Sequence, residues 1–210
     1  MTAHFRVVVL VALALGATLV SDSGEAQTAF SASAHIGNFH VAVSNYYRVP
    51  AREVIVIRER HISDDDLPVV LFIAQRARVA PARVVDLRLR GLSWWDISLH
   101  FGLGPEVYYV PVVVAPGPPY GRAYGHYKKP RKRWRTIVLA DPDVVNLVHL
   151  RFLSDHYHVA PERVIEMRGR HRDFVAVHTE VSGRGTARVR DADRGPSNSP
   201  GRGTGRGNRQ

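Results

Sequence analysis

The densest chemistry in this sequence lies in His126-Tyr127-Lys128-Lys129-Pro130-Arg131-Lys132-Arg133-Trp134-Arg135, which places six Lys or Arg residues in ten. Cations interleaved with aromatic rings can grip nucleic acid, acidic polysaccharide or anionic lipid, with the rings stacking or entering the interface. Lys128, Lys129, Arg131, Lys132, Arg133 and Arg135 are expected to supply charge, and Tyr127 and Trp134 to stack or insert. The competing reading is a solvated hinge whose charge serves solubility. Eleven histidines raise the question of a metal. His149 and His156 are spaced to share a helix face, His158, His171 and His178 follow, and imidazoles alone can bind zinc, nickel or copper. No HExxH spacing accompanies them, so they read as surface histidines. Asp64-Asp65-Asp66 has the composition of an ion site, but a helix N-terminus accounts for it. There is no G-x-S-x-G elbow and no G-x-x-x-x-G-K-[ST] phosphate loop. The absence of cysteine removes thiolate and disulfide chemistry. No catalytic residue, cofactor or metal is expected, and a hydrolase or histidine-metal protein is the third choice.

The rest of the chain determines what could hold that cluster in place. At 210 residues, with 45% apolar and 23% charged residues, it has the composition of one or two folded domains and excludes wholesale disorder. Residues 1–26 read as a secretory signal peptide. His4 and Arg6 precede an apolar run over residues 7–20, and Gly24 and Ala26 fit the small residues before a cleavage site. The run is short of the roughly 20 residues a membrane span needs. The protein is expected to be exported, periplasmic or secreted, and not transmembrane after cleavage. An uncleaved anchor is the alternative.

The chain repeats itself. Val79-Ala80-Pro81-Ala82-Arg83-Val84-Val85-Asp86-Leu87-Arg88-Leu89-Arg90 returns 80 residues later as Val159-Ala160-Pro161-Glu162-Arg163-Val164-Ile165-Glu166-Met167-Arg168-Gly169-Arg170, with seven of twelve positions identical. The same offset carries Leu67 onto Leu147, Phe72 onto Phe152, Trp94 onto Phe174 and Ile97 onto Val177. A rougher third copy begins at Val49-Pro50. Matches that extend beyond one motif point to duplication. Each unit reads as helix, turn, helix. Ser63 and the three aspartates open one helix and Asp141-Pro142-Asp143 another, while Pro81 and Pro161 start the second of each pair. Gly91 ends the helix of the middle unit, and Ser93-Trp94-Trp95-Asp96 opens a third as a capping box ending at Gly102. Trp94 is expected in the core and Trp95 at the surface. The segment from Phe174 to Val181 alternates and reads as a strand or extended arm.

The expected division is a helical domain over 27–104 with two repeat copies, a Pro/Gly/Tyr-rich extended linker over 105–135, and a second helical unit over 136–181. A disordered Arg/Gly-rich tail over 182–210 completes it. Within the linker, 107–114 is expected as an edge strand. The fold class is therefore mainly α, built from duplicated helix-turn-helix units as small helical bundles. Formal charge is +10 and unevenly spread: −1 over 1–26, +2 over 27–104, −2 over 136–182, +6 over the linker and +5 over the tail. The two helical units together are neutral.

Residues 83–103, with Leu87-Arg88-Leu89-Arg90-Gly91, Leu92-Ser93 and Gly102-Leu103, resemble the first part of helix-turn-helix DNA-binding domains of the response-regulator and sigma-factor kind. In those families a recognition helix follows and enters the major groove. Here Pro105-Glu106-Val107-Tyr108-Tyr109-Val110-Pro111 follows, which cannot supply one. The whole pattern of signal peptide, Val-x-Pro helical units and Gly117-Pro118-Pro119-Tyr120-Gly121 linker resembles exported bacterial helical-repeat proteins, a likeness that implies location rather than mechanism. The expected function is non-enzymatic: an envelope or extracellular module whose helical units dock a protein partner or a second copy while the linker contacts an anionic surface. The alternative is nucleic-acid binding by the linker and the Arg-Gly tail.

Overall fold

The computed structural model describes residues 37–193, with side chains through residue 183. The expected signal peptide and the chain beyond Asp193 lie outside the described residues. Within them the protein is mainly helical: α1 (Asn38–Tyr47), α2 (Ala51–Glu59), α3 (Leu67–Ala77), α4 (Pro81–Leu89), α5 (Trp94–His100), α6 (Gly121–Tyr127), α7 (Asp141–Tyr157), α8 (Pro161–Arg170) and α9 (Phe174–Asp193). Two 3₁₀ turns, Pro105–Val107 and Arg131–Thr136, flank α6, and the described residues contain no strand.

The Val-x-Pro signature has a specific geometric cause. Arg48, Arg78 and His158 follow α1, α3 and α7 in the left-handed region, at φ 55, 57 and 52°. The next residue, Val49, Val79 or Val159, donates its N–H back to the carbonyl of Ser44, Ala74 or Ser154 at 3.0–3.1 Å. This is the Schellman ending, in which an apolar residue after the left-handed one folds onto the last turn. Proline then restarts the chain where a missing N–H costs nothing: Pro81 and Pro161 occupy the first helical position, and Pro50 sits one residue before α2. All three copies share this corner.

Helices α3 and α7 pack on each other at the centre. Eight successive residues of α3, Leu67 to Ala74, are buried, as befits a helix surrounded on every side. The duplication is visible in matching pairs of side chains. Arg88 stacks on Trp94 at 4.3 Å, and 80 residues later Arg168 stacks on Phe174 at 4.6 Å. Arg88 pairs with Asp66 at 3.9 Å, while Arg168 bonds Asn146, which stands 80 residues after Asp66, at 3.4 Å. The two halves also cap each other. Asp141, at the start of α7, accepts the Trp94 N–H at 2.7 Å, and Asp65, just before α3, accepts the Phe174 N–H at 3.2 Å. Asp141 and Asp65 thus cap the starts of helices in the opposite unit, while Asp143 caps its own, accepting the Ala140 N–H at 3.2 Å. Ser63 and Ser93 do cap locally, accepting the N–H of Asp66 and of Asp96.

Several expectations need correction. Residues 105–135 are a packed module rather than an extended linker. Tyr108, Val110, Tyr120, Ala123, Tyr124, Tyr127 and Trp134 are buried. Proline and glycine forbid long helices there, but the tyrosines bury large rings, and two satisfy their hydroxyls on nearby carbonyls, Tyr124 on that of Val110 and Tyr127 on that of Pro105, while the Tyr120 hydroxyl is buried without a partner. The 107–114 segment forms a 3₁₀ turn and irregular chain, not an edge strand. Phe174 to Val181 opens α9, because Phe174, Val177, His178 and Val181 also follow helical spacing and all four are buried. The helix runs to Asp193, past the expected boundary at 182. Trp95 is buried beside Trp94 rather than exposed.

Candidate functional site

Helix α6 ends at Tyr127, the chain turns at Pro130, and the 3₁₀ segment Arg131–Thr136 follows. Tyr127 and Trp134 fix this corner from beneath. Tyr127 donates to the Pro105 carbonyl at 2.6 Å, and the Trp134 indole N–H donates to the Lys129 carbonyl at 2.9 Å. Their rings meet at 4.9 Å, and both touch the Tyr109 ring. Neither ring is available for stacking on a ligand, and their expected role as stacking or inserting groups is corrected to that of anchors.

The six cations are all exposed. With three residues per turn, a 3₁₀ segment puts Arg131 above Trp134, Lys132 above Arg135 and Arg133 above Thr136. One row therefore faces inward, and the Arg131 guanidinium lies 5.0 Å over the Trp134 ring. The other two rows face water, Arg133 being held through a Thr136 hydroxyl bond to its carbonyl at 2.9 Å. Ion pairs elsewhere occupy many arginines, such as Arg60 with Asp86 and Arg88 with Asp141. Among the described residues, no ion pair involves Lys128, Lys129, Arg131, Lys132, Arg133 or Arg135. The result is a ridge of uncompensated positive charge on a defined backbone. Guanidinium and ammonium groups so arranged bind phosphate or sulfate oxygens by charge-assisted hydrogen bonds.

The histidines are distributed differently from the sequence reading. His40, His149 and His178 converge on Phe39, with ring centroids 5.4–6.2 Å from its own. All three are buried, which corrects the reading of His149 and His178 as surface groups. His149 donates from Nε2 to the Asp65 carbonyl at 2.8 Å, so Nδ1 carries no proton, and that atom is buried without a partner. Burial holds its pKa down at about 3. His178 shares a 2.6 Å hydrogen bond with the Tyr157 hydroxyl, and burial, with His156 and His40 nearby, lowers its pKa to about 4. His40 faces Asp64 at 2.7 Å. His156 is half-buried against Phe152, and His171 bonds Glu180 at 2.8 Å. Among the described residues no three His, Asp or Glu side chains are grouped to hold a metal ion.

Sequence reasoning missed two features. One is the node of Arg88, Asp66, Trp94 and Asp141; its signal was present, since Arg88 and Arg168 are identical across the repeat. The other is the exposed aliphatic tip at Val113 and Val114, which are 93% and 67% exposed. The helix-turn-helix-like pair, α4 and α5, is followed by the 3₁₀ turn Pro105–Val107, where a recognition helix would lie. No helix among the described residues is long and apolar enough to cross a membrane. No family model, curated protein or solved structure matches this chain.

Proposed function

We propose that this chain is an exported, non-catalytic binding module in which near-neutral helical units hold a fixed cationic ridge, residues 128–135, against an anionic surface. The observation that carries the reading is the combination at that ridge: six exposed cations without a carboxylate partner, on a backbone fixed by the buried Tyr127 and Trp134. A solubility device needs charge but not a defined backbone. The cost of seating two aromatic rings beneath the charged residues is better explained by a surface that must meet a partner in one shape. The helical units remain free to dock a protein or a second copy.

The test uses duplex DNA as a generic polyanion, because binding to phosphates responds to salt irrespective of sequence. The Lys132→Ser/Arg133→Ser/Arg135→Ser variant is expected to bind more weakly. Its slope of log affinity against log salt should be shallower by about 0.9 for each phosphate that the variant no longer neutralises. Unchanged affinity and slope would overturn the assignment of the ridge. Export is tested by cell fractionation and N-terminal sequencing. An extracytoplasmic chain beginning at Gln27 is expected, and a cytoplasmic chain with its N-terminus intact would refute it.

A further inference from the structure

We propose that the anionic surface is a lipid bilayer, into which Val113 and Val114 insert while the ridge contacts the headgroups. This rests on the reading above and narrows it to one partner. The tip is Pro111-Val112-Val113-Val114-Ala115-Pro116, in which Pro111, Val113, Val114 and Ala115 are exposed. Single exposed aliphatic residues are ordinary on a soluble protein, but neighbouring ones at a loop tip are not.

The tip and the ridge belong to one module. Tyr109, four residues before Val113, packs its ring on Trp134 at 4.9 Å, and Trp134 sits between Arg133 and Arg135. Four residues span at most about 14 Å, which bounds how far the valines can lie from Tyr109. The tip is also held in place. The Val110 carbonyl accepts the Tyr124 hydroxyl at 2.7 Å, and Glu162 accepts the Val113 N–H at 2.6 Å. That carboxylate is engaged with the backbone, and the valine side chains remain in water. On the other side of the ridge, Val138 is 64% exposed between the buried Ile137 and Leu139. Exposed aliphatic residues therefore stand both before and after the cations along the chain.

This pairing distinguishes a bilayer from a soluble polyanion. Nucleic acid and acidic polysaccharide reward cations and stacking rings, but the rings here are buried, and an aliphatic tip gains nothing from phosphates. A bilayer rewards both features, since acyl chains take the valines and anionic headgroups take the Lys and Arg side chains.

The test uses the chain expressed at full length and purified as the cell leaves it. The probes are phosphatidylcholine vesicles with and without phosphatidylglycerol, and duplex DNA. The three native tryptophans are buried, so an indole introduced by Val113→Trp reports on the tip. Its emission is expected to shift to the blue, and brominated lipid to quench it, only with phosphatidylglycerol present. Val113→Ser/Val114→Ser is expected to lower vesicle affinity about tenfold or more, with DNA affinity unchanged. An unquenched indole on vesicle-bound protein, or unchanged vesicle affinity in the serine variant, would overturn the bilayer and leave the cationic ridge standing. Binding to neither vesicles nor DNA would overturn both readings.

Discussion

Replacing Asp141 with alanine tests whether the two repeats hold each other together. One carboxylate oxygen accepts the Trp94 N–H at 2.7 Å, and the other accepts Arg88 at 2.6 Å. Alanine removes both. The first orphans a donor at the N-terminus of α5, a loss of about 1 kcal/mol by comparison with other helix caps. The second leaves Arg88 the 3.9 Å approach to Asp66, its bond to the Leu92 carbonyl and its stacking on Trp94. Arg88 and Asp141 side chains are 24% and 30% exposed, so the pair is screened less than a surface one. A hydrogen bond to a charged group in such a place contributes about 1.5–3 kcal/mol. The expected total is about 2–4 kcal/mol, a large share of the roughly 5–15 kcal/mol that holds a domain folded. Asp141→Asn keeps the acceptor for Trp94 and is expected to lose about half as much. Urea unfolding followed by tryptophan fluorescence reads these values directly, because Trp94 is fully buried at this node. Asp65→Ala, which removes the single 3.2 Å cap on Phe174, should cost about 1 kcal/mol. If Asp141→Ala unfolds within about 0.5 kcal/mol of wild type, reciprocal capping does not hold the halves together.

Two further outcomes are expected. Stability falls on acidification: His149 and His178 have pKa values lowered from 6.5 to about 3 and about 4, so the unfolded chain takes up their protons first. Their contribution is intact above pH 6.5 and is lost as pH drops towards those lower values, opposed in part by Asp65, whose pKa burial raises. The urea midpoint is expected to decline over that range, and less steeply in His149→Phe and His178→Phe; a midpoint that rises would contradict the assignment. Arg78→Gly is expected to stabilise the protein by about 0.5–1 kcal/mol, because Arg78 sits at φ 57° where glycine is unstrained. A loss of stability in the same urea titration would show that its side chain outweighs the backbone strain.

Much of the helical scaffold was legible because its signals are local. Pro81 and Pro161 begin helices as expected, Gly91 and Gly102 end them at φ 87 and 72°, and Ser93 caps α5. The ridge of six cations was also legible, since long charged side chains stay in water in most folds. The two rings within it were not. An aromatic residue between cations has the same composition whether it stacks on a ligand or anchors the chain, and only the Lys129 and Pro105 carbonyls distinguish the two for Trp134 and Tyr127. The Phe174 to Val181 segment carried two periods at once, alternating like a strand while placing Phe174, Val177, His178 and Val181 on one helical face. Burial against α7 and α8 decided in favour of the helix.

The sequence by itself determined the repeat, the helix starts and stops and the position of the excess charge, because each depends on residues within a turn or two of one another. Only the tertiary structure decided that Asp141 caps Trp94 and Asp65 caps Phe174, that three histidines meet at Phe39, and that the proline-rich segment packs on its buried tyrosines and Trp134. Those pairings join residues that stand far apart in the chain. Which distant donor meets which acceptor is selected by burial of the helices that carry them, and spacing along the chain does not encode that choice.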